Sequence, residues 1–246
     1  MHYSRLILNP RSRAVRRDVV DAFQMHRTVM SAFPQLTERD RRDPDSGSIL
    51  WRVDQDQRSG VTMLIVQSEL APNWQLLLDR QPDYVALPLG TDLTPLDTKE
   101  RQLAFTAGQI LSFRLRANPT KKLKAEGRKN GIRVGLTTEK EQLAWLQRKA
   151  DTGGFRLRSA VVIPEEFSPE PRRSRQAKKA HDEDTSPGAE MGIATAVQVA
   201  RKLTHLAAHF EGVLQIVDPT VFQQTLRCGI GSAKGFGFGL LSLARG

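Results

Sequence analysis

The sequence predicts an α+β protein built from two ferredoxin-like (RRM-like) units in tandem, each running strand, helix, strand, strand, helix, strand. Two observations carry that expectation. Short β-rich or alternating segments are interleaved with segments whose apolar residues recur every three or four positions, and the whole order occurs twice within 246 residues. That length allows two compact cores. A composition of 39% hydrophobic and 26% charged residues excludes a disordered polyelectrolyte and fits a water-soluble globule.

In the first unit, Tyr3 to Leu8 reads as a short strand broken by Asn9 and Pro10. From Ala14 to Phe33 the residues Val15, Val19, Ala22, Met25, Val29 and Phe33 form one helical stripe. Ile49 to Val53 and Val61 to Val66 read as strands, with Gly60 opening the second. Pro72 to Leu78 reads as a short helix and Tyr84 to Leu87 as the closing strand, so residues 1–95 make one domain and 96–109 a linker.

The second domain spans 110–246. It opens with Ile110 to Arg116, where Leu111, Phe113 and Leu115 alternate with Ser112, Arg114 and Arg116, a strand with one basic face. Thr138 and Glu141 form a capping box for a helix to about Ala150, which Gly153 and Gly154 terminate. Phe155 to Ile163 is the next strand. Residues 164–190 mix Pro, Ser and charge with almost no aliphatic content and are expected to be a disordered insertion. Ile193 to Phe210 and Val213 to Val217 then read as a long hairpin turning at Glu211 and Gly212. Asp218 and Pro219 are a cap and first position for a helix to Arg227, and Phe236 to Leu243 is the final strand.

Charge narrows the partner. Lys and Arg number 37 against 27 Asp and Glu, a net +10 that favours a polyanion, nucleic acid first. Between Arg101 and Arg158 there are 14 Lys and Arg against 4 Asp and Glu, a local excess equal to that of the whole chain. A merely solubilising basic face is the alternative. No uncharged apolar run approaches the roughly 18 residues of a membrane span, and Met1 to Pro10 lacks a signal-peptide pattern, so no membrane association and a cytoplasmic location are expected. Cys228 stands alone, which rules out an intrachain disulfide and a Cys-rich zinc site.

Two features invite chemistry. The segment from Gly229 to Gly239 carries Gly229, Gly231, Gly235, Gly237 and Gly239 around Ser232 and Lys234. Such a loop lets backbone amides approach a phosphate closely, yet it matches neither nucleotide-binding fingerprint, and a plain tight turn would use the same glycines. Of the five histidines, His2 is terminal and His181 lies in the insertion, while His205 and His209 lack the Glu that a zinc hydrolase places between its pair. His26 remains, beside Met25 and Arg27 on a helix. A structural histidine on a helix side is the alternative there.

Five ordered motifs resemble one family. The opening strand with Asn9-Pro10, the run Met25-His26-Arg27-Thr28, the run from Phe113 to Pro119 with Lys121, the run Gly153-Gly154-Phe155-Arg156-Leu157, and Gly229 to Leu241 are similar to the CasE family, the CRISPR precursor-RNA endoribonucleases of type I-E systems. The resemblance spans nearly the whole chain apart from 164–190. It implies a tandem ferredoxin-like fold and cleavage at the base of a repeat stem-loop without metal or other cofactor. The ribose 2′-hydroxyl attacks, leaving a 2′,3′-cyclic phosphate and a 5′-hydroxyl. It also implies that the mature guide RNA is retained in the Cascade complex alongside other subunits. On this resemblance His26 is the catalytic histidine, acting as acid to the leaving 5′-oxygen, and Arg27 steadies the phosphate. RNA contacts fall to Asn118, Lys121, Lys122, Arg156, Arg158, Ser232 and Lys234. Lys121, Lys122 and Lys124 are expected in a solvated loop, and Arg156 and Arg158 on one face of a strand, suited to an A-form stem. Ordinary edge-strand charges are the alternative for that pair.

The chain departs from the family pattern at Phe23, where some relatives carry Tyr, and at Ser31, where another carries Lys. A phenyl ring cannot shuttle a proton. A non-catalytic module of the same fold that binds structured RNA is therefore the alternative function.

Overall fold

The computed structural model describes residues 1–37, 48–56, 58–86, 94–123, 132–163 and 206–245. The expected insertion at 164–190, and with it Lys124, His181, His205 and the start of the strand placed at 193, lie outside the described residues.

Two four-stranded antiparallel sheets repeat one topology. The first contains β1 (His2–Ile7), β2 (Leu50–Gln55), β3 (Thr62–Ser68) and β4 (Leu96–Glu100) in the order β2-β3-β1-β4. The second contains β5 (Ile110–Ala117), β8 (Phe155–Ile163), β9 (Ala208–Ile216) and β10 (Leu241–Arg245) in the order β10-β5-β9-β8. In each sheet the unit's first and third strands are central and its second and fourth are edges, as the split βαβ arrangement requires. A separate two-stranded ladder, β6 (Thr120–Leu123) with β7 (Ile132–Gly135), follows β5.

Several boundaries differ from the sequence reading, each for a local reason. The stripe from 14 to 33 is two helices, α1 (Arg13–Val20) and α2 (Ala22–Met30). Asp21 sits between them in an extended conformation, and its carboxylate accepts from the amides of Phe23 (3.0 Å) and Gln24 (3.4 Å), starting a second helix where the pattern alone continues the first. The short helix α3 is Gln75–Arg80. The closing strand of the first sheet is Leu96–Glu100, inside the stretch assigned to a linker; of the expected Tyr84 to Leu87, Leu87 lies outside the described residues and the rest makes one isolated bridge, between Val85 and Leu8.

Glu211 and Gly212 do not turn: β9 runs straight through them. A Cβ at Gly212 would lie 2.1 Å from the Ser159 carbonyl oxygen, so this glycine admits the neighbouring strand where β8 bulges between Leu157 and Ser159. The helix caps read from sequence are present. Thr138 Oγ1 accepts from the Glu141 amide at the start of α4 (Glu139–Thr152), and the Asp218 carboxylate accepts from Thr220 and Val221 at the start of α5 (Pro219–Cys228). The last strand begins at Leu241 rather than Phe236, because Lys234–Phe236 forms a single 3₁₀ turn.

Each sheet has its own apolar core, one around Met25, Phe33, Trp51 and Tyr84, the other around Leu115, Phe155, Phe210 and Phe222. The halves are also tied by polar contacts. Gln67 donates to the Leu226 carbonyl (2.7 Å), Arg227 pairs with Glu69 (3.0 Å), and buried Arg52 bridges Asp54 (2.6 Å) and Ser242 Oγ (3.1 Å). Among the described residues no helix is long and apolar enough to cross a membrane.

Candidate active site and nucleic-acid interface

A helix rotates by about 100° per residue, so three successive residues of α2 meet three surroundings. Met25 is fully buried in the first core, His26 is half-buried at its rim, and Arg27 is exposed. The rim position is set from beneath by a buried carboxylate. Asp18 of α1 accepts from the hydroxyls of Thr28 (2.6 Å) and Tyr84 (2.9 Å) and pairs with Arg17 (2.7 Å). Burial, then the Asp18 charge beside it, pushes the Tyr84 phenol well above its ordinary range, so it stays a donor. The same hydroxyl lies 3.6 Å from Met25 Sδ. The residues flanking His26 are thus held on both sides.

The wall facing His26 comes from the other half of the chain. A Cβ added at Gly235 would lie 3.5 Å from Cε1, 3.6 Å from Nδ1 and 3.7 Å from Nε2 of His26, and these near-equal distances set the glycine against the face of the ring. Two residues on, Gly237 has φ +79 and lies so close to the Trp51 indole that a Cβ would come within 2.7 Å of Cζ3. The loop therefore lies flat across the first core, a placement a side chain at 237 would forbid. Ala233, with φ +63, turns the chain into the 3₁₀ segment.

Arg116 fastens the loop from behind. It is 5% exposed, donates to the Phe236 and Gly237 carbonyls (3.4 Å each) and stacks its guanidinium 4.3 Å from the Phe238 ring centroid. Its own carbonyl accepts from the Gly239 amide (2.7 Å). Alternation along β5 predicts a solvent-facing Arg116; the loop folds over it instead. Across the ladder lies His209, whose pKa is lowered to about 4 by burial, then by the charges of Arg116 and Arg52. Burial and Lys149 likewise lower the Lys234 ammonium.

The other sequence-predicted residues separate into three groups. Ser232 and Lys234 lie half-buried in the loop that touches His26. Lys121 and Lys122 belong to β6 rather than to a solvated loop, because they ladder against β7. Lys121 pairs with Glu141 (2.9 Å), whereas exposed Lys122 lies directly opposite exposed Arg133, two like charges side by side on one ladder. Arg133 escapes sequence inspection because cross-strand register does not show in spacing. Asn118 is 2% exposed and sits inside the protein at the end of β5.

Arg156 and Arg158 do not share a face through regular alternation. The bulge at 158 breaks the period, and both guanidiniums converge on Gln215 Oε1 (2.5 and 3.5 Å). They sit on the edge strand opposite β10. They also lie about 20 Å along β5 from Arg116, since Gln215 pairs with Ile110. A ligand touching both His26 and this pair must be as long as a helical stem. Among the described residues no three His, Cys, Asp or Glu side chains converge as a metal site would require.

Known proteins share this architecture. A family model described as "CRISPR associated protein" matches residues 1–245. The CRISPR-associated endoribonuclease Cse3 of Thermus thermophilus is 36% identical over 99% of this chain and 100% of its own length. The CRISPR system Cascade subunit CasE of Escherichia coli is 29% identical over 99% of both chains. A structure of Thermus thermophilus Cse3 bound to an RNA representing a pre-cleavage complex superposes with a TM-score of 0.71 at 32% identity, covering 99% of this chain and 98% of that one. With tandem ferredoxin-like sheets, a matching family model and an end-to-end relative, this chain belongs to the CRISPR-associated protein family, as a CasE-type member of type I-E systems.

Proposed function

We propose that this chain is an endoribonuclease that processes CRISPR precursor RNA, with His26 as its acid and base group, and that it serves as a subunit of Cascade. The observation that carries the assignment of His26 is its seat: an imidazole presented by one sheet's helix against the glycine-rich loop of the other, with Arg27 exposed beside it and Lys234 next to the contacting Gly235. Cleavage of RNA by its own ribose needs the 2′-oxygen, phosphorus and leaving 5′-oxygen in line, a proton for the leaving oxygen, and cations for the charge on phosphorus. The His26 imidazole takes the proton of the attacking 2′-hydroxyl, directly or through water, and gives one to the leaving 5′-oxygen. Arg27 and Lys234 supply charge, and the loop amides bring donors close to the phosphate.

The repeat hairpin lies along the second half. Arg156 and Arg158 take its stem, and Lys121 and Lys122 with Arg133 hold phosphates, while Ser232 and Lys234 meet the strand entering the site. Asn118 acts from within by shaping the end of β5. Residues 1–95 and 110–246 act as the two domains of this reading, with β4 added to the first. Because the substrate is a transcript, the protein works in the cytoplasm.

The test is incubation with the cognate repeat RNA in EDTA. The wild-type chain cuts once at the stem base and leaves a 2′,3′-cyclic phosphate, while His26→Ala lowers the rate by a factor of about 10² to 10⁴ and leaves affinity nearly unchanged. A cut that needs added magnesium, or that survives in His26→Ala, overturns the mechanism. Tight binding without any cut in the wild type selects the non-catalytic RNA-binding module, the reading favoured by Phe23 in the place of a tyrosine.

A further inference from the structure

We infer that Phe23 is a stacking platform for an unpaired nucleobase flanking the scissile phosphate, an inference that rests on the function proposed above. Among the described residues every tryptophan and tyrosine and every other phenylalanine is buried or half-buried. Phe23 alone is exposed, at 53%. It sits in the first turn of α2, three positions before His26 and four before Arg27, so the three side chains lie on neighbouring parts of one helix surface. Val20, the last residue of α1, is exposed as well, at 42%.

The surroundings fit a nucleotide better than an apolar partner. Arg13, Arg16 and Arg17 of α1 are exposed on the same helix pair, and Arg27 makes no ion pair with any described residue. An apolar ring within a cationic field matches a base with its phosphate: the ring takes the π face and the guanidiniums take the charge.

The reaction supplies the need. Bringing a 2′-oxygen in line with the leaving oxygen swings the backbone away from helical geometry, so a base beside the cut leaves its stack. A phenyl ring one helical turn from the imidazole returns that stacking energy at the place where it is lost. Phe23 has no proton to move, so its part is to hold the base and thereby the phosphate.

The experiment compares wild type with Phe23→Ala, Phe23→Leu and Phe23→Trp on three repeat RNAs: intact, abasic on the 5′ side of the cut, and abasic on the 3′ side. Single-turnover cleavage is measured below saturation, and affinity is measured with a 2′-deoxy RNA that cannot react. Phe23→Ala lowers both cleavage efficiency and affinity on intact RNA by roughly 5- to 150-fold, the range of one base–aromatic stack. On one of the two abasic RNAs the same substitution changes either quantity by no more than about twofold, because the stack is already gone. Phe23→Trp retains function and Phe23→Leu does not. Equal loss on all three RNAs, or wild-type behaviour of Phe23→Leu or Phe23→Ala, overturns the stack. Absence of any cut by the wild-type chain counts against the enzymatic reading, while the 2′-deoxy affinities still decide for or against stacking.

Discussion

The two halves of the molecule share one topology and use charge in opposite ways. In the first half the decisive polar groups are inside: Asp18, Thr28 and Tyr84 form a buried hydrogen-bonded hub under α2. In the second half they are outside: Arg156 and Arg158 meet on an exposed edge strand, and Lys122 faces Arg133 across an exposed ladder. On the roles proposed above, the difference teaches a division of labour. A group that must meet a reacting atom is fixed by satisfied buried bonds, which tolerate no slack. Groups that follow a phosphate backbone work from solvent, where long cationic side chains adjust to the ligand.

The comparison breaks first at Asp18. Asp18→Ala strands two buried hydroxyls and is expected to cost about 3 kcal/mol of stability, seen as a lower thermal midpoint in calorimetry, with cleavage falling as well. None of the exposed cations of the second half, Lys122, Arg156 or Arg158, should approach that loss. The next effect falls on the contact between halves. Gly237→Val places a branched side chain against Trp51 at a positive φ. The loop then lifts from His26, and cleavage should fall about 100-fold, as for a displacement near 1 Å, while RNA affinity, read by filter binding, changes little.

Arg156→Ala with Arg158→Ala should do the reverse. Affinity drops about 10-fold at moderate salt and the slope of log K against log salt flattens by nearly two, with the rate at saturating RNA preserved. An equal loss of that rate would erase the division of labour.

The smallest effect is a pH dependence. His209, at about 4 in the folded chain against 6.5 for a free histidine, binds fewer protons folded than unfolded. The stability it contributes is therefore complete above about pH 6.5 and declines as pH falls toward about 4. His209→Gln should flatten that part of a stability–pH curve, and an unchanged curve would remove His209 from it.

What the sequence made legible was local. The strand ending at Asn9-Pro10, the caps at Thr138 and Asp218, and the repeated element order follow from neighbouring residues and their spacing. Leu96–Glu100 escaped because Leu-Asp-Thr-Lys-Glu has no apolar alternation. It is an edge strand, held by its ladder to β1. Gly212 misled because a glycine that admits a neighbouring backbone looks the same in sequence as one that turns. His26 and the glycine-rich loop each drew attention alone, but their contact, and the burial of Arg116 beneath that loop, depend on docking of the two halves.

The ring of His26 and the glycine against it are separated by more than two hundred positions in the chain. During synthesis the helix leaves the ribosome long before its opposing wall exists. The polypeptide therefore gains the wall opposite this ring only after Gly235 has been made, so a copy cut short before that position carries half of the proposed site.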